Sequence, residues 1–155
     1  MQIRLIEQND IPVVSAMLQE LASEFILQET EPALALRFLQ SNSPAGIADN
    51  LANDYTYHVA EHCGVIAGFI GVRERRHVFH LFVGKSWQGQ GISRLLWDAG
   101  RKAAIDAGGR PPFTVNASNY AFEAYQRLGF VRTAPMAIKN GVRFNAMQWD
   151  YSQNQ

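Results

Sequence analysis

HLFVGKSWQGQGISRLLWDAG, residues 80–100, reads as strand, loop and helix in immediate succession. Leu81, Phe82 and Val83 end an apolar strand. Gly84 to Gln90 form the loop, and Gly91 opens a helix whose apolar residues Ile92, Leu95, Leu96 and Ala99 recur at helical spacing. Gly89 and Gly91 put no side chain in the way of a ligand, so the amides of Gln88, Gly89, Gln90, Gly91, Ile92 and Ser93 can turn inward together on an anion. The helix dipole adds partial positive charge at the same point.

Spacing excludes two common phosphate loops. A nucleoside triphosphate loop has four residues between its glycines and then Lys and Ser or Thr, whereas Gly91 is followed by Ile92, Ser93 and Arg94. A dinucleotide fingerprint has a third small residue where Arg94 stands. The loop instead resembles the pyrophosphate loop of the GNAT superfamily of acyl-CoA N-acyltransferases, whose pattern is Gln or Arg, two residues, Gly, one residue, Gly or Ala. Gln88, Gly91 and Ser93 occupy those places, Ser93 departing from the pattern by its hydroxyl.

A second segment strengthens the resemblance. Asn116, Asn119, Ala121 and Tyr125, followed by Gly129 and Phe130, are similar to that family's run of Asn, helix, Tyr and a Gly-Phe ending, about 25 residues beyond the loop. The resemblance implies that Asn119 hydrogen-bonds the pantetheine or phosphate arm of coenzyme A. It places Tyr125 beside the thioester sulfur as proton donor to the departing thiolate. Read without the family, Asn119 is a helix cap and Tyr125 a core aromatic with a wet hydroxyl.

Outward from these segments the chain supplies one domain, residues 1–151, with a short flexible tail at 152–155. Gln2 to Glu7 alternate as a strand, and Asn9 or Asp10 caps a helix with the apolar stripe Ile11, Val14, Met17, Leu18, Leu21 and Phe25. Two shorter helices are expected at 33–39 and 44–52, the latter capped by Ser43. Residues 55–61, 65–72 and 77–83 are three consecutive strands, with 73–76 as a solvated turn. A strand at 113–115, a helix before Gly129, and a hairpin of 130–139 with 142–149 about Asn140 and Gly141 complete the order. This is an α/β chain, an α+β mixed sheet of six to seven strands flanked by helices, with the strands before and after the central helix neighbouring and parallel. The resemblance implies the same architecture over 2–151, with the strand before the loop bulging and splaying from its parallel neighbour so that amides near Leu81 and Val83 face the thioester.

Composition bounds the function. Fourteen basic and fourteen acidic side chains give no overall pull toward nucleic acid or anionic membrane. No run approaches the length of a membrane span and the N-terminus lacks a signal-peptide core, which predicts a soluble cytoplasmic protein. Cys63 is alone. His77 and His80, three apart on a regular strand, would point to opposite faces, and there is no HExxH helix, so no catalytic metal is expected.

Acetyl-CoA as acyl donor, and the primary amine of a small molecule or peptide as acceptor, follow from the resemblance. The oligomeric state is left open between monomer and homodimer. Acylation of an amine needs a proton sink. His77, with an ordinary pKa of about 6.5, is the candidate base, His80 and Glu74 are others, and water is the alternative. Glu20, Glu24, Glu29 and Glu31 gather where this fold would border the acceptor mouth; they are either a rim that draws cationic amines or the solvated face of a helix. A non-catalytic acyl-CoA-binding sensor or interaction module would share the fold and lack turnover.

Overall fold

The computed structural model describes residues 1–151, and the expected tail at 152–155 lies outside them. Eight strands form the sheet: β1 (Gln2–Leu5), β2 (Tyr55–His62), β3 (Val65–Arg73), β4 (His77–Val83), β5 (Phe113–Ala117), β6 (Val131–Arg132), β7 (Ala137–Lys139) and β8 (Val142–Trp149). Their order is β1-β2-β3-β4-β5-β8-β6, with β7 also on β8. β4 and β5 are parallel, and the other pairs are antiparallel. Five helices cover the sheet: α1 (Ile11–Phe25), α2 (Pro32–Ser41), α3 (Pro44–Leu51), α4 (Ile92–Asp106) and α5 (Phe122–Leu128). None is long and apolar enough to cross a membrane.

Period-two alternation on β2 and β3 divides the interior into two cores. Tyr57, Val59 and Phe69 face α1 and α3, packing with Val14, Leu18 and Ile47. Ala60, Ile70 and Val72 face the other way, onto Leu96, Trp97 and Ala104 of α4 and Tyr125 and Leu128 of α5. Gly71 has a steric reason: a β-carbon there would lie 2.4 Å from the Tyr57 ring. The missing side chain lets Tyr57 lie flat across β3.

Three expectations need correction. Asp10 does not cap α1 with its side chain; its carboxylate accepts from the Glu7 amide and pairs with Arg4 at 2.7 Å, while a 3₁₀ turn, Gln8–Asp10, leads into the helix. The strand expected over 130–139 is two short strands, because Pro135 lacks an amide to continue the ladder. The turn Asn140–Gly141 has positive φ at both residues, as its tight hairpin requires.

The third correction matters most for the site. Gly71 pairs with His80 but Val72 pairs with Val78, so Phe79 is an extra residue, a β-bulge. His77 pairs with Arg73, two residues from Gly71, and two-residue spacing keeps one face. The bulge thus puts His77 and His80 on the same face, toward α1, where regular alternation would have separated them.

Candidate active site

β4 and β5 are paired only at His77↔Thr114 and Val78↔Val115. Beyond that point the strands diverge, and a cleft opens between them at the start of α4. Tyr125 borders it. α5 carries Tyr125 into the core, where its ring meets Phe130 edge-on at 5.3 Å. Burial raises the phenol's pKa well above its ordinary value of about 10, so the hydroxyl keeps its proton.

Two cavities meet at this residue. One, of about 370 Å³, runs along Gly89, Gly91 and Ser93 and between α4 and α5. The other, of about 240 Å³, lies toward α1 and is bordered by His77, His80, Phe82 and Phe144. Leu81, Val83, Gln88, Tyr120, Ala121 and Tyr125 border both.

The first cavity ends on the glycine loop. Gly89 and Gly91 have φ of 80° and 78°, the left-handed region open to glycine, and a β-carbon at either would meet only empty space. The constraint is therefore the backbone turn that aims the amides, together with clearance for a ligand. Gln88 is fixed on both sides: its Nε2 donates to the Val83 carbonyl at 3.0 Å and its Oε1 accepts from the Tyr120 hydroxyl at 3.0 Å. Ile92 is buried beneath the loop, and Gln90 donates to the Ser86 carbonyl at 3.4 Å, outside the groove lining.

Asn119 is placed differently from the expectation. Its Oδ1 accepts from Asn145 Nδ2 at 2.8 Å, and it borders a separate recess with Phe25, Glu29 and Arg143. Asn145 is buried and must satisfy its amide; Asn119 and the Ala117 carbonyl do so. Nor does Asn119 cap α5. The N-cap position is Ala121, without a side-chain cap, and the Ser118 hydroxyl accepts from the Ala121 amide at 3.1 Å in the turn before the helix.

The two histidines that border the second cavity are both neutral at pH 7. His77 Nδ1 lies 2.8 Å from Thr114 Oγ1; burial, then Arg73 and Arg76, hold its pKa down at about 4. His80 is 5% exposed, its Nδ1 is 2.8 Å from the Tyr57 hydroxyl, and burial lowers its pKa to about 3. Glu74 lies in the turn at positive φ, on the exposed end of the β3–β4 hairpin.

The acidic rim is largely spoken for. Glu24 pairs with Lys85 at 2.8 Å, Glu29 with Arg143 at 2.7 Å, and Glu31 accepts from the Ala33 amide as the cap of α2. Sequence reading missed Trp87, Tyr120 and Arg127, which border the groove. Tyr120 also stacks on Phe25, ring centroids 4.3 Å apart, tying α5's approach to the end of α1. Ala121, the N-cap residue of α5, and Ala124 within the helix, three apart, are the signal for this wall: small residues on one face leave room for a ligand. Among the described residues no group of three or more His, Cys, Asp or Glu side chains converges as a metal site would require.

A sheet split between two parallel strands, with a glycine-lined helix start on one side and a second cavity on the other, has the layout of an acyltransferase. The chain belongs to the GNAT acetyltransferase family: the model of the acetyltransferase (GNAT) domain matches residues 25–151. No curated protein matches the chain. Among solved structures, a GCN5-related N-acetyltransferase from Rhodopseudomonas palustris is similar at TM-score 0.78 and 22% identity, covering 96% of this chain and 94% of its own. The PaiA N-acetyltransferase of Thermoplasma acidophilum, solved with coenzyme A, has TM-score 0.77 and 14% identity over 97% and 100%. YncA of Salmonella typhimurium, solved with acetyl-CoA, has TM-score 0.70 and 19% identity over 97% and 93%. At these identities the likeness establishes the fold.

Proposed function

We propose that the protein is an N-acetyltransferase that moves the acetyl group of acetyl-CoA to a primary amine of a small molecule or peptide. The observation that carries this reading is the position of Tyr125, a protonated phenol at the junction of two cavities, one ending on the glycine loop at the start of α4. The groove fits the donor: the loop from Gln88 to Ser93 offers unobstructed amides at the positive end of α4, suited to a pyrophosphate. The coenzyme A and acetyl-CoA complexes of the PaiA and YncA relatives support the same use of the groove.

Acetyl-CoA brings an activated thioester; the chain's residues do the rest. Where β4 has left β5, the backbone near Leu81 and Val83 faces the cleft, and fixed amides there would stabilise charge on the attacked carbonyl without reorganising. Tyr125 gives its proton to the departing thiolate sulfur as the carbon–sulfur bond breaks, releasing the thiol, and solvent restores it. The proton shed by the amine as the carbon–nitrogen bond forms goes to His77 or, failing that, to water.

The test is incubation of the protein with acetyl-CoA and a panel of amines, reading thiol release and the mass of the acylated product. Amine-dependent thiol release with N-acetyl product supports the reading. Tight acetyl-CoA binding with no thiol release for any amine would make the chain a non-catalytic acyl-CoA-binding module instead.

A further inference from the structure

The cavity on the α1 side of Tyr125 has a chemistry of its own. Leu21, Ile26 and Phe38 form its helical wall, and Phe82, Val142 and Phe144 line the sheet side. Among the described residues no Asp or Glu borders it. The charged side chain on its rim is Arg143, which is positive and paired with Glu29 in the neighbouring recess.

The polar groups of the cavity carry no negative charge either. Asn50 Nδ2 donates to the Tyr57 hydroxyl at 3.1 Å, which turns the Tyr57 proton toward His80 Nδ1, 2.8 Å away. His80 therefore holds its own ring proton on Nε2 and is a donor there, by inference from this network. His77 is a neutral imidazole beside Thr114. A cation placed among these groups would lose its water and gain no counter-ion, which is costly, while an apolar body would gain from leaving water.

We propose that the acceptor is a small primary amine carried on an uncharged apolar body, an alkyl- or arylalkylamine, and that polycationic amines are poor substrates. This rests on the transferase reading and names the substrate class for the same site. Every alkylamine must shed one proton to react, at similar cost, so the rest of the molecule decides. A second ammonium in this cavity is what the lining refuses.

The experiment compares kcat/KM for phenethylamine and hexylamine with putrescine and spermidine, at one pH and saturating acetyl-CoA. The apolar pair is expected to lead by at least about tenfold. In Phe38→Glu, which puts a carboxylate on the half-buried helical wall, that ratio should narrow by about tenfold or reverse. Cationic amines that match or exceed the apolar ones overturn the proposal, as does a folded Phe38→Glu protein with an unchanged ratio. A binding arm works without turnover: calorimetric titration of the coenzyme A complex with phenethyl alcohol and with putrescine. If no amine is acetylated but phenethyl alcohol binds and putrescine does not, transfer fails as the function while the cavity's selectivity stands. Preference for putrescine, or binding of neither, overturns the assignment.

Discussion

His77 and Thr114 face each other across the short parallel contact of β4 and β5, Nδ1 to Oγ1 2.8 Å, at the point where the two strands part. The hydrogen bond pins the imidazole at the border of the cavity on the α1 side of Tyr125. Burial and the neighbouring Arg73 and Arg76 make its protonation unfavourable.

That environment sets the pH dependence. An ordinary histidine base would lose activity as pH falls through about 6.5. A base at about 4 is already free at pH 6, so kcat/KM should show no loss from this group until pH falls through about 4. His77→Gln should lower kcat by roughly 10²-fold or more and abolish that limb. A pH-rate profile that keeps the limb near 4 in the variant, with kcat little changed, assigns the proton to water.

Tyr125→Phe keeps the edge-on packing against Phe130 and removes only the hydroxyl. Since the phenol would act as the thiol leaves, kcat should fall at least about tenfold while the acetyl-CoA dissociation constant changes by less than about twofold. Stopped-flow turnover and a direct binding titration separate the two. Equal turnover would take the acid role away from Tyr125.

Gly91→Val acts on the loop proposed to hold the acetyl-CoA. Its φ of 78° is one that a β-branched residue resists, at about 1–2 kcal/mol, so the loop amides should leave their inward arrangement. The acetyl-CoA dissociation constant is expected to rise at least about tenfold, roughly 1.4 kcal/mol. The thermal midpoint should fall far less than loss of a core residue would cause, because a β-carbon at Gly91 meets nothing within 4 Å. Unchanged affinity in the folded variant would remove the loop from the donor site.

The reach of the sequence differs from residue to residue for physical reasons. The strand, loop and helix about Gly91 are local, set by apolar period and two glycines, and the chain folds them as read. The Asn140–Gly141 hairpin is equally local. What could not be read depends on partners far away in the chain. The bulge at Phe79 exists only in the register of β4 on β3, and it reverses the facing of one histidine relative to the other. Asn119 is turned by Asn145, 26 residues on, and Glu24 is neutralised by Lys85, 61 residues on. An acidic cluster in sequence is thus no guide to the charge its fold presents.

The histidines make a last prediction, for stability. Burial lowers the pKa of His58 in the folded chain, and holds His77 at about 4 and His80 at about 3, against about 6.5 when unfolded. Above pH 6.5 both states hold these rings neutral and stability is at its full value. As pH falls below 6.5 the unfolded chain binds protons that the folded one refuses, so stability declines, by on the order of 1 kcal/mol per pH unit for the buried His80 and by less for the half-buried His58 and His77. The Arg4–Asp10 pair sits in a different window, since the Arg4 hydrogen bonds hold the Asp10 carboxyl below 3.8 and its contribution is lost only at still lower pH. Urea midpoints at pH 7 and pH 5 should therefore differ clearly. In His80→Gln, which offers Tyr57 an acceptor but no titrating ring, the difference should shrink. A midpoint independent of pH across that interval would mean that these rings are not held neutral by the fold.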